Sequence, residues 1–198
     1  MRRSYSPSSS SFSFGPGPLS TALKALIGAN VALFIIQVVF RSGFRDPITE
    51  LFGLQPIATV QALRVWQVVT YMFLHAGPFH ILFNMLALWM FGAELERMWG
   101  TRYFLKFYFV TGIGAAILTV LVAYSLTPSL KGSIIIGASG AIYGLLLAYA
   151  LYFPNRPIYM YLVFPIPAKY FVIIMGALAF YSSVSEAGGV AHATHLGG

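Results

Sequence analysis

Long apolar runs alternate along this chain with short segments that hold most of its charges and prolines. A helix of about 20 apolar residues crosses a ~30 Å hydrocarbon core. Spans are therefore predicted at residues 21–40, 79–98, 102–124, 139–153 and 169–182, with a sixth beginning near residue 189. The pattern predicts an all-α membrane protein, built as a bundle of six transmembrane helices.

The connection between the first two spans, residues 41–79, is long and partly apolar. Its apolar positions recur every three or four residues with polar ones between them, namely Leu63, Trp66, Val69 and Phe73, with Arg64 and Gln67 in between. That period is typical of a helix lying in the membrane interface. We therefore expect a long first loop that is partly helical.

The two ends of the chain differ from its middle. Residues 1–20 are rich in Ser, Gly and Pro and show no signal-peptide cleavage site, which predicts a disordered tail before a membrane domain at 21–198. The sixth span has about ten residues before Gly198, which is ~15 Å of helix, or half a bilayer. We expect the sixth helix to be incomplete in this sequence.

Composition narrows the class of protein. Charged residues make up 9% of the chain and hydrophobic residues 58%, whereas a soluble domain carries about 25% charged residues. The net charge is +7, but the basic residues are scattered, so no nucleic-acid partner is expected. The absence of cysteine excludes disulfides and thiolate metal sites.

Basic residues also predict the orientation. A cytoplasmic N-terminus places the larger group of them inside, at Arg2, Arg3, Lys24, Arg97, Arg102, Lys106, Arg156 and Lys169, and the smaller group outside, at Arg41, Arg45, Arg64 and Lys131. This excess favours a cytoplasmic N-terminus. Spans two, four and six then run in the same direction, and His80, Ser139 and His195 all lie toward the outer leaflet.

Ser139 opens the fourth span, inside the small-residue stretch Gly137–Gly144. From Ser139 to Phe153 the helix measures roughly 22 Å, too short for a ~30 Å core. With its inner end at the surface, Ser139 lies on the order of 8 Å below the outer surface. The preceding connection must then dip into the membrane, where non-helical backbone is tolerated only inside protein or beside water. A water-filled cavity above Ser139 is therefore predicted.

A serine becomes a strong nucleophile only when a base takes its proton. Spans four and six contain no Asp or Glu, so a Ser-His-Asp triad is disfavoured and a Ser-His dyad remains possible. His80 and Asn84 are four residues apart and share a helical face. Both could donate hydrogen bonds to a developing oxyanion, together with the backbone N–H of Ser139.

Small residues four apart predict close packing of spans four and six. Gly140 and Gly144 form one such pair, and Gly189, Ala193 and Gly197 form another. Stripes of this kind let helix backbones approach each other in lipid. A hydrogen bond between a serine and a histidine on two different helices needs that approach.

Structural interpretations stay open beside these functional ones. Ser139 could be a packing residue or a helix N-cap. His80 and Asn84 could be a buried polar pair that fixes helix association, and His195 could have the same role. Polar residues inside a membrane are functional by default, and several of them on one side of the bilayer favour a site. The roles of His75 and His192 are left open.

Three motifs together closely resemble the rhomboid family of intramembrane serine proteases: HAGPFHILFNM at 75–85, GASGAIYG at 137–144 and AHATHLGG at 191–198. The resemblance covers roughly residues 21–198 and implies a rhomboid-like bundle. It implies functional roles for Ser139 as nucleophile, His195 as general base, His80 and Asn84 in oxyanion stabilisation, and Tyr143, Gly137 and Gly140 as supporting residues. Tyr143 would pack on the catalytic histidine.

Three further positions relate to the same family. The resemblance implies that Glu96 ties the inner end of span two and that Trp66 sits in the interfacial loop. Gln67 departs from the arginine that many members have after this tryptophan, which puts one hydrogen-bond arrangement of the loop in doubt.

The resemblance implies an intramembrane endopeptidase that cleaves in or next to transmembrane segments of membrane protein substrates, without metal or cofactor. One alternative is a catalytically silent rhomboid-like protein that binds membrane clients. Another is a metal-binding transporter that uses the four histidines, which is disfavoured because spans four and six lack carboxylates and the chain lacks HExxH. The short six-span layout favours a prokaryotic inner membrane.

Overall fold

The computed structural model describes residues 17–41, 46–160, 164–184 and 197. Its helices and strands are α1 (Thr21–Phe40), α2 (Pro47–Phe52), α3 (Pro56–Gln61), α4 (Gln67–Thr70), α5 (Pro78–Trp99), α6 (Thr101–Ser125), α7 (Ser139–Tyr152), β1 (Pro157–Met160), β2 (Phe164–Pro167) and α8 (Ala168–Val184). Short 3-10 helices cover Tyr71–Phe73 and Pro128–Gly132. Most of the predicted tail, and the predicted sixth span apart from Gly197, lie outside the described residues.

Five apolar helices lie where the first five spans were predicted, and three of them are confirmed as candidate spans. Helices α1, α5 and α6 are long and apolar enough to cross a membrane, and α7 and α8 are shorter apolar helices. Their bounds agree with the predicted ones to within about two residues, the usual uncertainty of a helix end. The protein is a mostly helical membrane bundle.

Helix α7 lies at the centre of the described bundle, in contact with α5, α6 and α8. Most of its side chains are buried, including Leu145, which is fully inaccessible. Its 14 residues give a length of about 21 Å, so the prediction of a short fourth span is confirmed. On α6, Gly112 leaves room for a neighbouring side chain, because a Cβ there would lie 2.2 Å from the Met72 methyl carbon.

The bundle has two ends that differ in their contacts. At the first, α1 and α6 begin while α5 and α7 finish, and we call it the Glu96 end. At the second, α5 and α7 begin while α1 and α6 finish, and we call it the Ser139 end. The first loop and the connection before Ser139 meet at the second end, where Leu54 and Ile135 form a single antiparallel bridge with hydrogen bonds of 2.9 and 2.8 Å.

The first loop is helical in three short pieces, and the single interfacial helix predicted around 63–73 is wrong. Leu63 has a φ of +53°, and α4 begins only at Gln67. Gln67 is fully buried, and its Oε1 accepts hydrogen bonds from Gln55 N at 3.2 Å and Thr59 Oγ1 at 3.1 Å. Gln67 was expected on the solvent-facing side of a helix because of its spacing from the apolar residues. The same spacing arises here from a buried side-chain amide that holds a folded loop together.

A two-stranded antiparallel ribbon joins α7 to α8, and the sequence pattern did not predict it. Ile158 pairs with Ile166, and Pro157 pairs with Pro167. Prolines interrupt the strand signal because they cannot donate to a ladder. The ribbon lies at the Glu96 end, where α7 finishes and α8 begins.

Candidate active site

Ser139 is the first residue of α7 and is half-buried. The N-cap is Ala138, so the interpretation of this serine as a helix cap is wrong. Gly137 just before it has a φ of +126°, a conformation that side chains rarely adopt. Its N–H donates to the carbonyl of Tyr71 at 2.9 Å, which holds the turn into α7 against the first loop.

His80, in the first turn of α5, faces the same glycine. Its Nδ1 accepts a hydrogen bond from Ala76 N at 3.1 Å, so a neutral ring carries its proton on Nε2. That Nε2 lies 2.9 Å from where a Cβ on Gly137 would stand, and the same point is 3.6 Å from the Ser139 Oγ. The Nε2 of the imidazole and the serine hydroxyl thus both lie close to the point where a side chain of residue 137 would begin.

Asn84 lies one turn farther along α5 and is buried. Its Nδ2 donates to the His80 carbonyl at 2.7 Å. An amide nitrogen carries two N–H groups, so the second one remains for another acceptor. The structure therefore places His80 beside Ser139, with Asn84 below it on the same helix.

The remaining predicted site residues are described only in part. Gly140 is buried in α7, and Tyr143 is half-buried one turn after Ser139. His192 and His195 lie outside the described residues. The predicted packing of Tyr143 on a histidine, the close approach of spans four and six, and the cavity above Ser139 stay predictions.

His75 is a buried neighbour of the site, with only 2% of its surface exposed. Its ring meets that of His80 edge to face, with centroids 5.1 Å apart. Burial, and secondarily the nearby His80, lowers the pKa of His75 to about 4. The ring is therefore neutral at ordinary pH, and it supports His80 by packing. In the described part of the chain, no three potential metal ligands come together.

Two residues that support the site were not singled out from the sequence. Gln37 on α1 is buried; its Oε1 accepts from His75 N at 2.9 Å, and its Nε2 donates to Thr49 Oγ1 at 2.8 Å. Tyr71, besides accepting from Gly137, donates its hydroxyl to the Gly112 carbonyl at 2.7 Å. A glutamine inside an apolar span is a signal that could have been used, whereas nothing in the sequence marks Tyr71.

At the Glu96 end, a carboxylate joins three helices. Glu96 accepts hydrogen bonds from Ser20 Oγ at 2.5 Å and from Thr101 Oγ1 at 2.6 Å, and it is buried. Ser20 also caps α1, and Thr101 opens α6. The carboxylate thus ties the end of α5 to the starts of its two neighbours, as the resemblance implied. In the first loop, Trp66 donates its Nε1–H to the Leu51 carbonyl at 3.1 Å.

The helices and polar contacts define an integral membrane protein with polar side chains gathered around the start of one short central helix. A family model described as "Rhomboid domain" matches residues 62–198. The chain belongs to the rhomboid family.

Known relatives cover this chain to different extents. It is 30% identical to "Rhomboid protease AarA" of Providencia stuartii, over 94% of this chain and 70% of the relative. It is 35% identical to "Rhomboid protease GluP" of Bacillus subtilis, over 87% of this chain and 31% of the relative. The yeast "Rhomboid protein 1, mitochondrial" is 31% identical, over 64% and 36%. The chain thus spans about a third of the length of the last two.

Proposed function

We propose that this protein is an intramembrane serine endopeptidase with Ser139 as nucleophile and His195 as general base. It hydrolyses peptide bonds in or next to transmembrane segments of membrane protein substrates. Two relatives named rhomboid proteases support the reaction class. No metal or cofactor takes part in the proposed chemistry.

The observation that carries the proposal is the arrangement around Gly137. The Nε2 of His80 approaches this glycine so closely that no side chain fits there, and the hydroxyl of Ser139 lies 3.6 Å from the same point. A nucleophile beside a fixed, neutral N–H donor is what acyl transfer needs, because negative charge develops on the attacked carbonyl oxygen. A serine that served only for packing would not require a donor held in this way.

A contact near the end of the chain supports the role of His195. A Cβ on Gly197 would stand 2.8 Å from the Cα of Ala115 on α6. The same part of α6 contacts α7, since a Cβ on Gly112 would be 3.4 Å from the Cβ of Ala141. Gly197 and Ala141 each follow the proposed catalytic residue by two positions, which the chain spans in at most ~7 Å. Each proposed catalytic residue is thus two positions away from a residue that contacts the same short part of α6, residues 112–115.

In the proposed mechanism the Ser139 Oγ attacks the scissile carbonyl carbon while His195 takes its proton. The resulting oxyanion accepts hydrogen bonds from His80 Nε2–H, from the second N–H of Asn84, and from the backbone N–H of Ser139 at the start of α7. The tetrahedral intermediate collapses to an acyl-enzyme as His195 protonates the leaving amine. Water, activated by the same histidine, then releases the acyl group.

A substrate helix must unwind before its peptide bond can reach Ser139, because a helical carbonyl is already hydrogen-bonded. We therefore expect small or helix-breaking residues near the cut. We also propose that the N-terminus is cytoplasmic, from the distribution of basic residues, and that the host membrane is a prokaryotic cell membrane. The cut would then lie near the outer face.

The test is cleavage of a model transmembrane substrate in proteoliposomes by the wild-type protein, Ser139→Ala and His195→Ala. Each variant should lose at least ~10³-fold in turnover, since removing a member of a catalytic unit costs about as much as removing all of it. Undiminished cleavage by either variant would exclude the dyad. Labelling of Ser139 by a fluorophosphonate separates this proposal from a silent rhomboid-like protein that binds membrane clients, because a silent protein would not react.

A further inference from the structure

The ribbon formed by β1 and β2 leaves the bundle at the level of an aromatic belt. The ring of Trp99 lies 5.3 Å from that of Tyr103 and 5.7 Å from that of Tyr152, and Tyr170 on α8 is 52% exposed. Tryptophan and tyrosine concentrate where a membrane meets water. The ribbon begins shortly after Tyr152 and runs directly into α8, so both of its ends adjoin these aromatic residues.

The side chains of this segment suit lipid better than water. The two strands read PIYM at 157–160 and FPIP at 164–167, and they contain no charged residue and no side-chain amide. Phe164 is 65% exposed. Basic residues bound the segment: Arg156, which pairs with Glu94, and Lys169, whose ammonium lies 5.0 Å from the centre of the Tyr170 ring. Apolar side chains flanked by basic ones match the headgroup region of a bilayer that contains anionic lipids.

The register shows which backbone nitrogens lie at the edges of the ribbon. Ile158 pairs with Ile166, and Ala168 N donates to Arg156 O at 2.9 Å. The even-numbered residues therefore exchange the ladder hydrogen bonds, and the odd-numbered ones turn their backbone nitrogens outward. Positions 157, 165 and 167 are prolines, which have no N–H, so that within β1 and β2 the one outward donor left is at position 159. The outer edge of β2 presents no donor at all.

A strand edge without donors has one consequence in lipid and another in water. In hydrocarbon unpaired N–H and C=O groups are both costly, and open sheet edges are excluded for that reason. The prolines remove outward N–H groups and leave outward carbonyls, which the water of the headgroup region can solvate. In water such donors are solvated, and prolines would serve only to prevent pairing with another strand. We propose that the ribbon inserts into the headgroup and upper acyl region of the leaflet at the Glu96 end, where it anchors the connection between α7 and α8.

Single-cysteine variants test this placement, because the chain contains no cysteine. The full chain carrying Phe164→Cys or, as control, Asn155→Cys at an exposed position before the ribbon is labelled with a nitrobenzoxadiazole dye. It is reconstituted in nanodiscs of phosphatidylcholine and phosphatidylglycerol. The dye at 164 should be quenched several-fold more than the dye at 155 by lipids with a nitroxide near the top of the acyl chain. It should be quenched several-fold less by aqueous cobalt. Equal quenching by cobalt at the two positions would overturn the proposal.

The prolines provide a second measurement at the same dye position. Pro165→Ala with Pro167→Ala restores two outward N–H groups and should move the dye at 164 toward water, with a several-fold loss of lipid quenching. Pro154→Ala, in the loop before the ribbon, is the matched control and should leave the quenching unchanged. Unchanged lipid quenching in the double variant, together with new association between copies, would show edge protection in water and overturn the proposal. A double variant that fails to fold leaves the comparison of positions 164 and 155 decisive.

Discussion

The two ends of this bundle use polar side chains in different ways. At the Glu96 end, side chains bond to one another: Glu96 to Ser20 and Thr101, and Glu94 to Arg156. At the Ser139 end, the hydrogen bonds described for His80 and Asn84 join them to main-chain atoms of their own segment. Main-chain bonds fix the orientation of a side chain and leave its other polar atoms for a third party. The first pattern stabilises the fold, and the second suits the oxyanion role proposed for His80 and Asn84.

The largest effect that tests this contrast is expected from Gly137→Ala. A Cβ at a φ of +126° would be strained and would stand 2.9 Å from His80 Nε2 and 3.0 Å from its Cε1. Displacing this ring should lower peptidase turnover by ~10²-fold to 10³-fold, the size expected for one oxyanion donor. Turnover on a model substrate, measured per folded molecule, checks the prediction.

The matched control is Gly132→Ala in the same connection, where an added Cβ meets nothing within 4 Å. This variant should keep wild-type turnover. Wild-type turnover in Gly137→Ala would show that the site does not depend on the close approach of His80. The proposed difference between the two ends would then be wrong.

Glu96→Ala should produce the opposite outcome, with reduced stability and preserved chemistry. It removes the acceptor of two short hydrogen bonds that join three helices. Bonds to charged groups contribute ~1.5–3 kcal/mol each, so a loss on the order of 3 kcal/mol in the free energy of unfolding is expected. Denaturant unfolding in detergent measures the change, with Glu50→Ala, an exposed carboxylate on α2, as control. Normal stability with low turnover in Glu96→Ala would contradict a structural role for the Glu96 end.

The Ser139 end should also be the acid-sensitive one. Burial, and secondarily the neighbouring His80, lowers the pKa of His75 from 6.5 to about 4. The unfolded chain therefore binds the proton first, and the contribution of this residue to stability is complete above pH ~6.5 and is lost as the pH falls toward ~4. The loss is on the order of 1–3 kcal/mol.

Unfolding measured across that pH window, in the wild-type protein and in His75→Gln, checks this sign. The variant should be less stable at neutral pH and should show a flatter pH dependence. An unchanged slope in His75→Gln would assign the acid sensitivity to another group.

The smallest effect is expected from Gln67→Met, which tests whether a purely structural polar residue exists at the Ser139 end. Methionine has a similar volume but cannot replace the hydrogen bonds of the buried amide to Gln55 N, Thr59 Oγ1 and the Leu51 carbonyl. We expect a loss of about 1–2 kcal/mol in stability and unchanged turnover. Gln61→Met, at an exposed position on α3, should change neither quantity.

The membrane spans could be predicted from sequence because apolar length is a local property. Helices α1, α5 and α6 needed only a count of apolar residues against the bilayer thickness, and the shortness of α7 was also visible in the sequence. The nearness of His80 to Ser139 followed from topology, since α5 and α7 begin at the same end. The sequence can therefore predict which end of the bundle a residue near a helix start, such as His80 or Ser139, will occupy.

The remaining features depend on contacts between distant segments. Gln67 was expected on a polar helix face, and it became the buried centre of a folded loop because Gln55 and Thr59 come to meet it. The ribbon was not predicted, because three prolines contradict a strand when read one at a time. The register explains these prolines, because the backbone nitrogen of each one points away from the partner strand and would not donate to the ladder.

The Glu96 contacts also bear on how the bundle assembles. The bond to Thr101 spans 5 residues and can form as soon as the turn between α5 and α6 closes, whereas the bond to Ser20 spans 76 residues. Contacts of such different sequence separation form at different stages of folding. A first span inserted one turn too high or too low would leave one carboxylate oxygen without its donor. The hydrogen bond between Ser20 and Glu96 therefore fixes the height of α1 relative to α5.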